Sequence, residues 1–148
     1  MHRLVRSSIA VCIVVAAAAC QSATAGPAAG LSSARARWAA RAPDSYAVTV
    51  TRACECVPEA SGSVRVTVRA GAVESRVYVS SGAPVAAEYA SAFPSVDELF
   101  VMIDDAIRRG GASVDVKYDP ALGYPTRFAE GDPAVDAPLW VLSDFEAR

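Results

Sequence analysis

The sequence predicts an α+β domain with a mainly antiparallel sheet of about six strands, one long helix packed on a face and a short N-terminal helix. Three observations carry this. Apolar and polar residues alternate in several short runs bounded by turn residues, the period of half-buried strands. One segment, Ser95 to Arg109, instead repeats its apolar residues at helical spacing. The elements follow in the order helix, three strands, helix, three strands, which suits a sheet covered on one face.

Leu31 to Ala42 is rich in alanine and arginine, with Leu31, Ala34 and Trp38 at helical spacing and Pro43 as a stop, so a short helix with Trp38 as its core anchor is expected. From Tyr46 the period becomes two. Tyr46, Val48 and Val50 form one face of a strand that should run into Cys54-Glu55-Cys56 and end at Pro58. Val64, Val66 and Val68, then Val77 and Val79, alternate in the same way about a tight turn at Ala70-Gly71. Ser81 to Pro94, broken by Gly82 and Pro84, reads as a loop.

Ser95-Val96-Asp97-Glu98 fits a capping box, in which the serine and glutamate side chains satisfy free N–H groups of the first turn. Val96, Leu99, Phe100, Ile103, Ala106 and Ile107 make its apolar stripe, and Arg108-Arg109-Gly110-Gly111 closes the helix with positive charge and glycine. Ser113 to Tyr118 and Tyr124 to Ala129 flank a turn at Asp119-Pro120-Ala121-Leu122-Gly123. Gly131-Asp132-Pro133 is another break before a last strand, Leu139 to Phe145.

Ahead of the domain, Arg3 and Arg6 precede an apolar run from Ile9 to Ala19 that is too short to span a membrane as a helix, and Ala17-Ala18-Ala19-Cys20 follows. This is the pattern of an export signal, residues 1–19, and its end resembles the lipobox of bacterial lipoproteins, in which the cysteine receives the lipid. Cys20 is therefore the expected lipidation site, with Cys12 leaving in the signal. Gln21 to Gly30 is small, polar and glycine-broken, so residues 20–30 read as a tether and 31–148 as one domain. The expected location is extracytoplasmic, on the periplasmic face or cell surface, held to the membrane by the N-terminal lipid.

The whole chain has 14 basic and 16 acidic residues; without Arg3 and Arg6 the formal charge is 12 − 16 = −4. Nucleic-acid binding needs a clustered basic footprint and is not expected. Arg35, Arg37 and Arg41 read as a solvated helix face. The only histidine is His2, which departs with the signal, and the only lysine is Lys117. A Ser-His-Asp site, a histidine-ligated zinc and a histidine proton shuttle are thereby excluded from the mature chain, and no catalytic constellation, cofactor or metal site is expected.

Cys54 and Cys56 are the first chemical candidates. An oxidising compartment favours a disulfide, yet residues two apart on an extended strand are separated by roughly 6.6 Å, and bridging them needs a bulge or turn at Glu55. A local staple, two buried small hydrophobes, a redox disulfide, a thiolate metal site and a bond to a partner chain all remain open. The second candidate is the loop carrying Tyr118, Asp119, Gly123, Tyr124 and Pro125. Asp119 can accept from its own turn, the two tyrosines could form a binding face, and Pro125, lacking a ladder donor, points to a sheet edge open to strand addition. The alternative for this loop is a hairpin turn held by aromatic packing. Asp104, Asp105, Asp132 and Asp136 read as solvated surface.

Cys54-Glu55-Cys56-Val57-Pro58, the Val64 to Val79 hairpin, Val96-Asp97-Glu98-Leu99-Phe100, Tyr118-Asp119-Pro120 and Gly123-Tyr124-Pro125-Thr126 occur in an order that resembles an uncharacterised bacterial family, domain of unknown function 6174. The resemblance covers about Trp38 to Phe145. Many such proteins look like lipoproteins, in keeping with Cys20, and the resemblance implies no activity or catalytic residues. The expected function is a lipid-anchored envelope domain that is not an enzyme and contacts an envelope protein or a small ligand. The alternative is a thiol redox or metal-binding protein using Cys54 and Cys56.

Overall fold

The computed structural model describes residues 26–110, 113–131 and 137–148. The expected signal, Cys20, the first residues of the tether, Gly111, Asp132 and Asp136 lie outside them. The chain forms helix α1 (Pro27–Arg41), strands β1 (Tyr46–Ala53), β2 (Gly62–Arg69) and β3 (Ala72–Tyr78), helix α2 (Val96–Arg109), and strands β4 (Val114–Tyr118), β5 (Pro125–Glu130) and β6 (Leu139–Ala147). The six strands make one sheet in the order β3-β2-β1-β6-β5-β4, and every neighbouring pair is antiparallel. The α+β architecture expected from the period and element order is thus what the chain adopts.

Two local expectations are corrected. Helix α1 begins at Pro27 rather than Leu31, so Pro27 to Gly30 belongs to the helix and not to a tether. Proline has no N–H to lose at the first helical position, and its fixed φ suits the helix start. The segment between β3 and α2 is not all loop: Ala87–Ala92 forms a 3₁₀ turn, and Val77 bridges to Pro84.

One face of the sheet holds the core. Val48 pairs with Val66, and Val50 with both Val64 and Leu142, in a fully or nearly buried patch. Leu99, Phe100, Ile103 and Ala106 of α2 and Leu31, Ala34 and Trp38 of α1 are buried in the same cluster. The opposite face carries hydroxyl and charged groups: Thr51 and Ser63 exchange a 2.8 Å hydrogen bond, and Arg65 meets Glu146 at 2.7 Å. Among the described residues, no helix is long and apolar enough to cross a membrane.

Helix α2 is fixed at both ends. The Ser95 N–H donates to Glu98 Oε2 at 2.7 Å and the Glu98 N–H to Ser95 Oγ at 3.3 Å, completing the capping box, and Gly110 closes the helix at φ 63°. Glu98 also pairs with Arg76 of β3 at 2.6 Å. Partial burial opposes ionisation of Glu98, but the Ser95 N–H and the Arg76 guanidinium outweigh it and hold the carboxyl below its ordinary value.

The buried Val96 N–H donates to Tyr46 Oη at 3.1 Å, tying the start of α2 to β1. Burial pushes the Tyr46 hydroxyl up to about 12 from 10.0, so its neutral form stabilises the fold fully below about pH 10 and that contribution is lost as the pH rises toward 12. Tyr46→Phe leaves the Val96 N–H unpaired and is expected to cost about 1–3 kcal/mol in urea unfolding at pH 7. The variant should also lose less further stability than wild type between pH 9 and 12, on the order of the alkaline range set by this one group. Equal alkaline losses in the two proteins would exclude the role given to Tyr46.

Candidate functional site

The loop from Tyr118 to Pro125 is built as a packed turn. Asp119 Oδ1 accepts from the Ala121 N–H at 2.9 Å and the Leu122 N–H at 2.6 Å, while the Gly123 N–H donates to the Asp119 carbonyl at 2.9 Å. Gly123 lies at φ +88° against α1, where a Cβ would sit 2.4 Å from the Ala34 carbonyl oxygen. The Arg41 guanidinium reaches across to the Ala121 carbonyl at 2.8 Å. Both tyrosines turn inward. The Tyr124 ring stacks on Phe145 with centroids 4.8 Å apart, and Tyr118 stacks on Phe100 at 6.4 Å.

Burial raises the Tyr124 hydroxyl above its ordinary value, Asp119 adding to the effect, and burial pushes the Tyr118 hydroxyl up to about 12. Tyr118 Oη is buried without a hydrogen-bond partner among the described residues. The expectation that Pro125 marks a sheet edge is corrected. Strand β5 lies between β4 and β6, and Pro125 is its fully buried first residue, a position where the missing N–H interrupts no ladder. The geometry of this loop is that of a clamp between the β4–β5 hairpin and α1, with both tyrosine rings packed inward and only half-buried.

The cysteines stand elsewhere. Strand β1 ends at Ala53, so Cys54-Glu55-Cys56 is not extended strand as expected but a bend. That bend brings the two Cα atoms to 5.4 Å, and Cys54 and Cys56 are bridged. This resolves the geometric objection, since the turn at Glu55 that bridging requires is present. The Ala60 carbonyl oxygen lies 3.8 Å from Cys54 Sγ and 3.5 Å from Cys56 Sγ. A bridged pair has no S–H to donate, so these are sulfur–oxygen contacts. Cys56 is exposed and Cys54 half-buried.

Because the bridged loop spans only three residues, chain-entropy arguments limit its stabilisation to roughly 1.6 kcal/mol. Cys54→Ser with Cys56→Ser is therefore expected to lower stability by no more than about 2 kcal/mol in urea unfolding, leaving a folded domain. Loss of the folded state in that variant would show that the bridge organises more than its own bend.

The same carbonyl has a third neighbour. Arg52 Nη1 donates to the Ala60 oxygen at 3.0 Å, and its guanidinium lies 5.2 Å from the centroid of the Trp140 ring. Arg52 and Trp140 are register partners across β1 and β6, at the end of the core face. They wall a groove of about 450 Å³ that also receives Tyr89 and Ala92 from the 3₁₀ segment, Met102 from α2 and Glu88 at an exposed position. Trp140 is held there by its Nε1–H, which donates to the Ala92 carbonyl at 3.0 Å, and by stacking on Phe128 at 5.3 Å.

Among the described residues Arg52 makes no ion pair, and its Nε is buried without a partner. Burial lowers the Arg52 guanidinium from its ordinary value. Sequence reasoning missed this groove. Its one legible signal is Arg52 occupying the inward phase of β1 after Val48 and Val50. Arg35, expected as solvated surface, instead donates to the Phe100 carbonyl at 2.8 Å and links α1 to α2.

Among the described residues, no three or more potential metal-ligating side chains come together. No curated protein and no solved structure matches the chain. A family model described as a family of unknown function, DUF6174, matches residues 30–135, which include most of α1, all of α2, the bridged cysteines, the Asp119 turn and most of the groove wall. The match takes in well over half of the sequence, and the chain belongs to the DUF6174 family.

Proposed function

We propose that this protein is a lipid-anchored extracytoplasmic domain that works as a non-catalytic binding module of the bacterial cell envelope. The observation that carries the reading is the Cys54–Cys56 bridge, a bond that persists in oxidising compartments outside the cytosol. It agrees with an export signal ahead of Cys20 and a lipid on that cysteine. Two or more acyl chains anchor persistently where one is marginal, so the domain needs no membrane-spanning helix of its own. The groove beside Arg52 supports binding as the activity, because it is concave, mostly apolar and carries the Arg52 cation, which makes no ion pair among the described residues.

Cys20→Ala should move the protein from the membrane to the soluble fraction of cells, with the folded domain intact by thermal melting. Unchanged membrane fractionation would overturn the anchor. Cross-linking in intact cells, with the captured envelope component identified by mass spectrometry, tests the binding half of the proposal. Thiol–disulfide exchange at Cys54 and Cys56 is the second reading, favoured by the exposure of Cys56 and the nearby Arg52 cation, which stabilises a thiolate. A bridge that stays closed under mild reductant in the folded protein excludes it.

A further inference from the structure

We infer that the groove walled by Arg52, Trp140 and Met102 is a binding site for a small monocarboxylate with an apolar or aromatic body. The inference rests on the binding-module reading and gives that module a ligand class. Arg52 is half-buried, and a cation partly withdrawn from water is commonly matched by a carboxylate, because leaving it unpaired is costly. Arg52 has no such match among the described residues. Its Nη1 is held by the Ala60 carbonyl and its face lies near the Trp140 ring, so the guanidinium is positioned before any ligand arrives.

The donor fork of arginine matches carboxylate and phosphate, and the single charge of a carboxylate suits a groove that also carries Glu88. The groove sets the rest of the ligand. Trp140, Tyr89, Met102 and Ala92 offer apolar and aromatic surface, and about 450 Å³ suits a small molecule. Glu88, on the same groove, disfavours a second negative charge, which selects a monoanion over a dicarboxylate. The polymer partners that a sheet edge would attract have no place here, since the groove opens beside the ends of β1 and β6, away from the open strands β3 and β4.

The test is a titration of the purified protein with 3-phenylpropionate, followed by the Trp140 indole N–H and the Arg52 Nε–H signals in proton–nitrogen NMR. Saturable shifts at both groups are expected at millimolar ligand or below. The neutral isostere 3-phenylpropanamide should bind roughly tenfold more weakly, as expected for loss of a hydrogen bond to a charged group. Benzylmalonate, the dianion, should also bind more weakly than 3-phenylpropionate, and Glu88→Gln should narrow that difference.

Arg52→Gln should abolish the preference for acid over amide. Ser91→Trp, an exposed change on the groove wall that leaves Arg52 in place, should block the shifts and keeps the question decidable if Arg52→Gln fails to fold. Equal binding of acid and amide, undiminished shifts in Ser91→Trp, tighter binding of the dianion, or no saturable response to 3-phenylpropionate would each overturn the inference. Failure here with membrane fractionation intact removes the ligand class alone. Soluble wild-type protein that still binds the acid removes the anchor alone.

Discussion

Trp38→Ala is expected to destabilise the domain by about 3–5 kcal/mol, the range for emptying a buried indole site. Trp38 is 6% exposed and is the point where α1 meets the sheet. Its ring makes edge contacts with Tyr46 at 5.5 Å, Phe145 at 5.9 Å and Tyr124 at 6.2 Å, so one side chain joins β1, β6 and the Asp119 turn. Its Nε1–H also donates to Asp97 Oδ1 in the first turn of α2 at 3.0 Å. A small domain has only about 5–15 kcal/mol in total, so this loss is a large fraction. Urea unfolding of Trp38→Ala and Trp38→Phe separates the contributions. The phenylalanine variant keeps ring packing and loses the Asp97 bond, and should cost about 1–2 kcal/mol. A cost below 1 kcal/mol for the alanine variant, roughly the noise of such extrapolation, would mean that α1 is not part of the cooperative fold.

Gly123→Ala is expected to cost about 3 kcal/mol or more through two separate effects. The residue sits at φ +88°, where a Cβ is disfavoured by about 1–2 kcal/mol. The added methyl would also lie 2.4 Å from the Ala34 carbonyl oxygen and 2.9 Å from Arg37 Cβ, forcing α1 away from the turn at a typical overpacking cost of about 1–3 kcal/mol. Gly82→Ala is the internal control. Gly82 has φ +71° with nothing within 4 Å of its Cβ position, so it should show the backbone cost alone. Equal destabilisation by the two substitutions in urea unfolding would show that α1 does not press on the turn.

These two positions also mark how far local pattern reaches. Trp38 is readable as an anchor because its spacing to Leu31 and Ala34 is helical. Gly123 is readable as a turn residue because Asp119-Pro120 precedes it. Neither signal says that the two residues touch, since their chain separation is large and no periodicity encodes it. Cys54 and Cys56 show the opposite failure. Alternation from Tyr46 continues through the segment on paper, yet the strand stops at Ala53 once its partner residues in β2 and β6 run out at Gly62 and Leu139. Pro125 differs from its local pattern for a related reason: a proline at the start of a strand tolerates an interior position, and only the return of β6 beside β5 makes that position interior.

By itself the sequence determined the elements whose causes are local: the period-two strands, the Ser95 capping box with its Gly110 stop, and the Asp119 turn. Tertiary structure alone decided what β1–β6 pairing brings together. That pairing sets the first strand beside the last at the centre of the sheet and joins the two three-stranded halves. It also places Arg52 opposite Trp140 and, with α2 and the 3₁₀ segment packed over them, makes the groove from positions 52, 89, 102 and 140. Periodicity and capping act over a few residues, whereas contacts between distant strands follow from the global burial of apolar faces, which no short segment specifies.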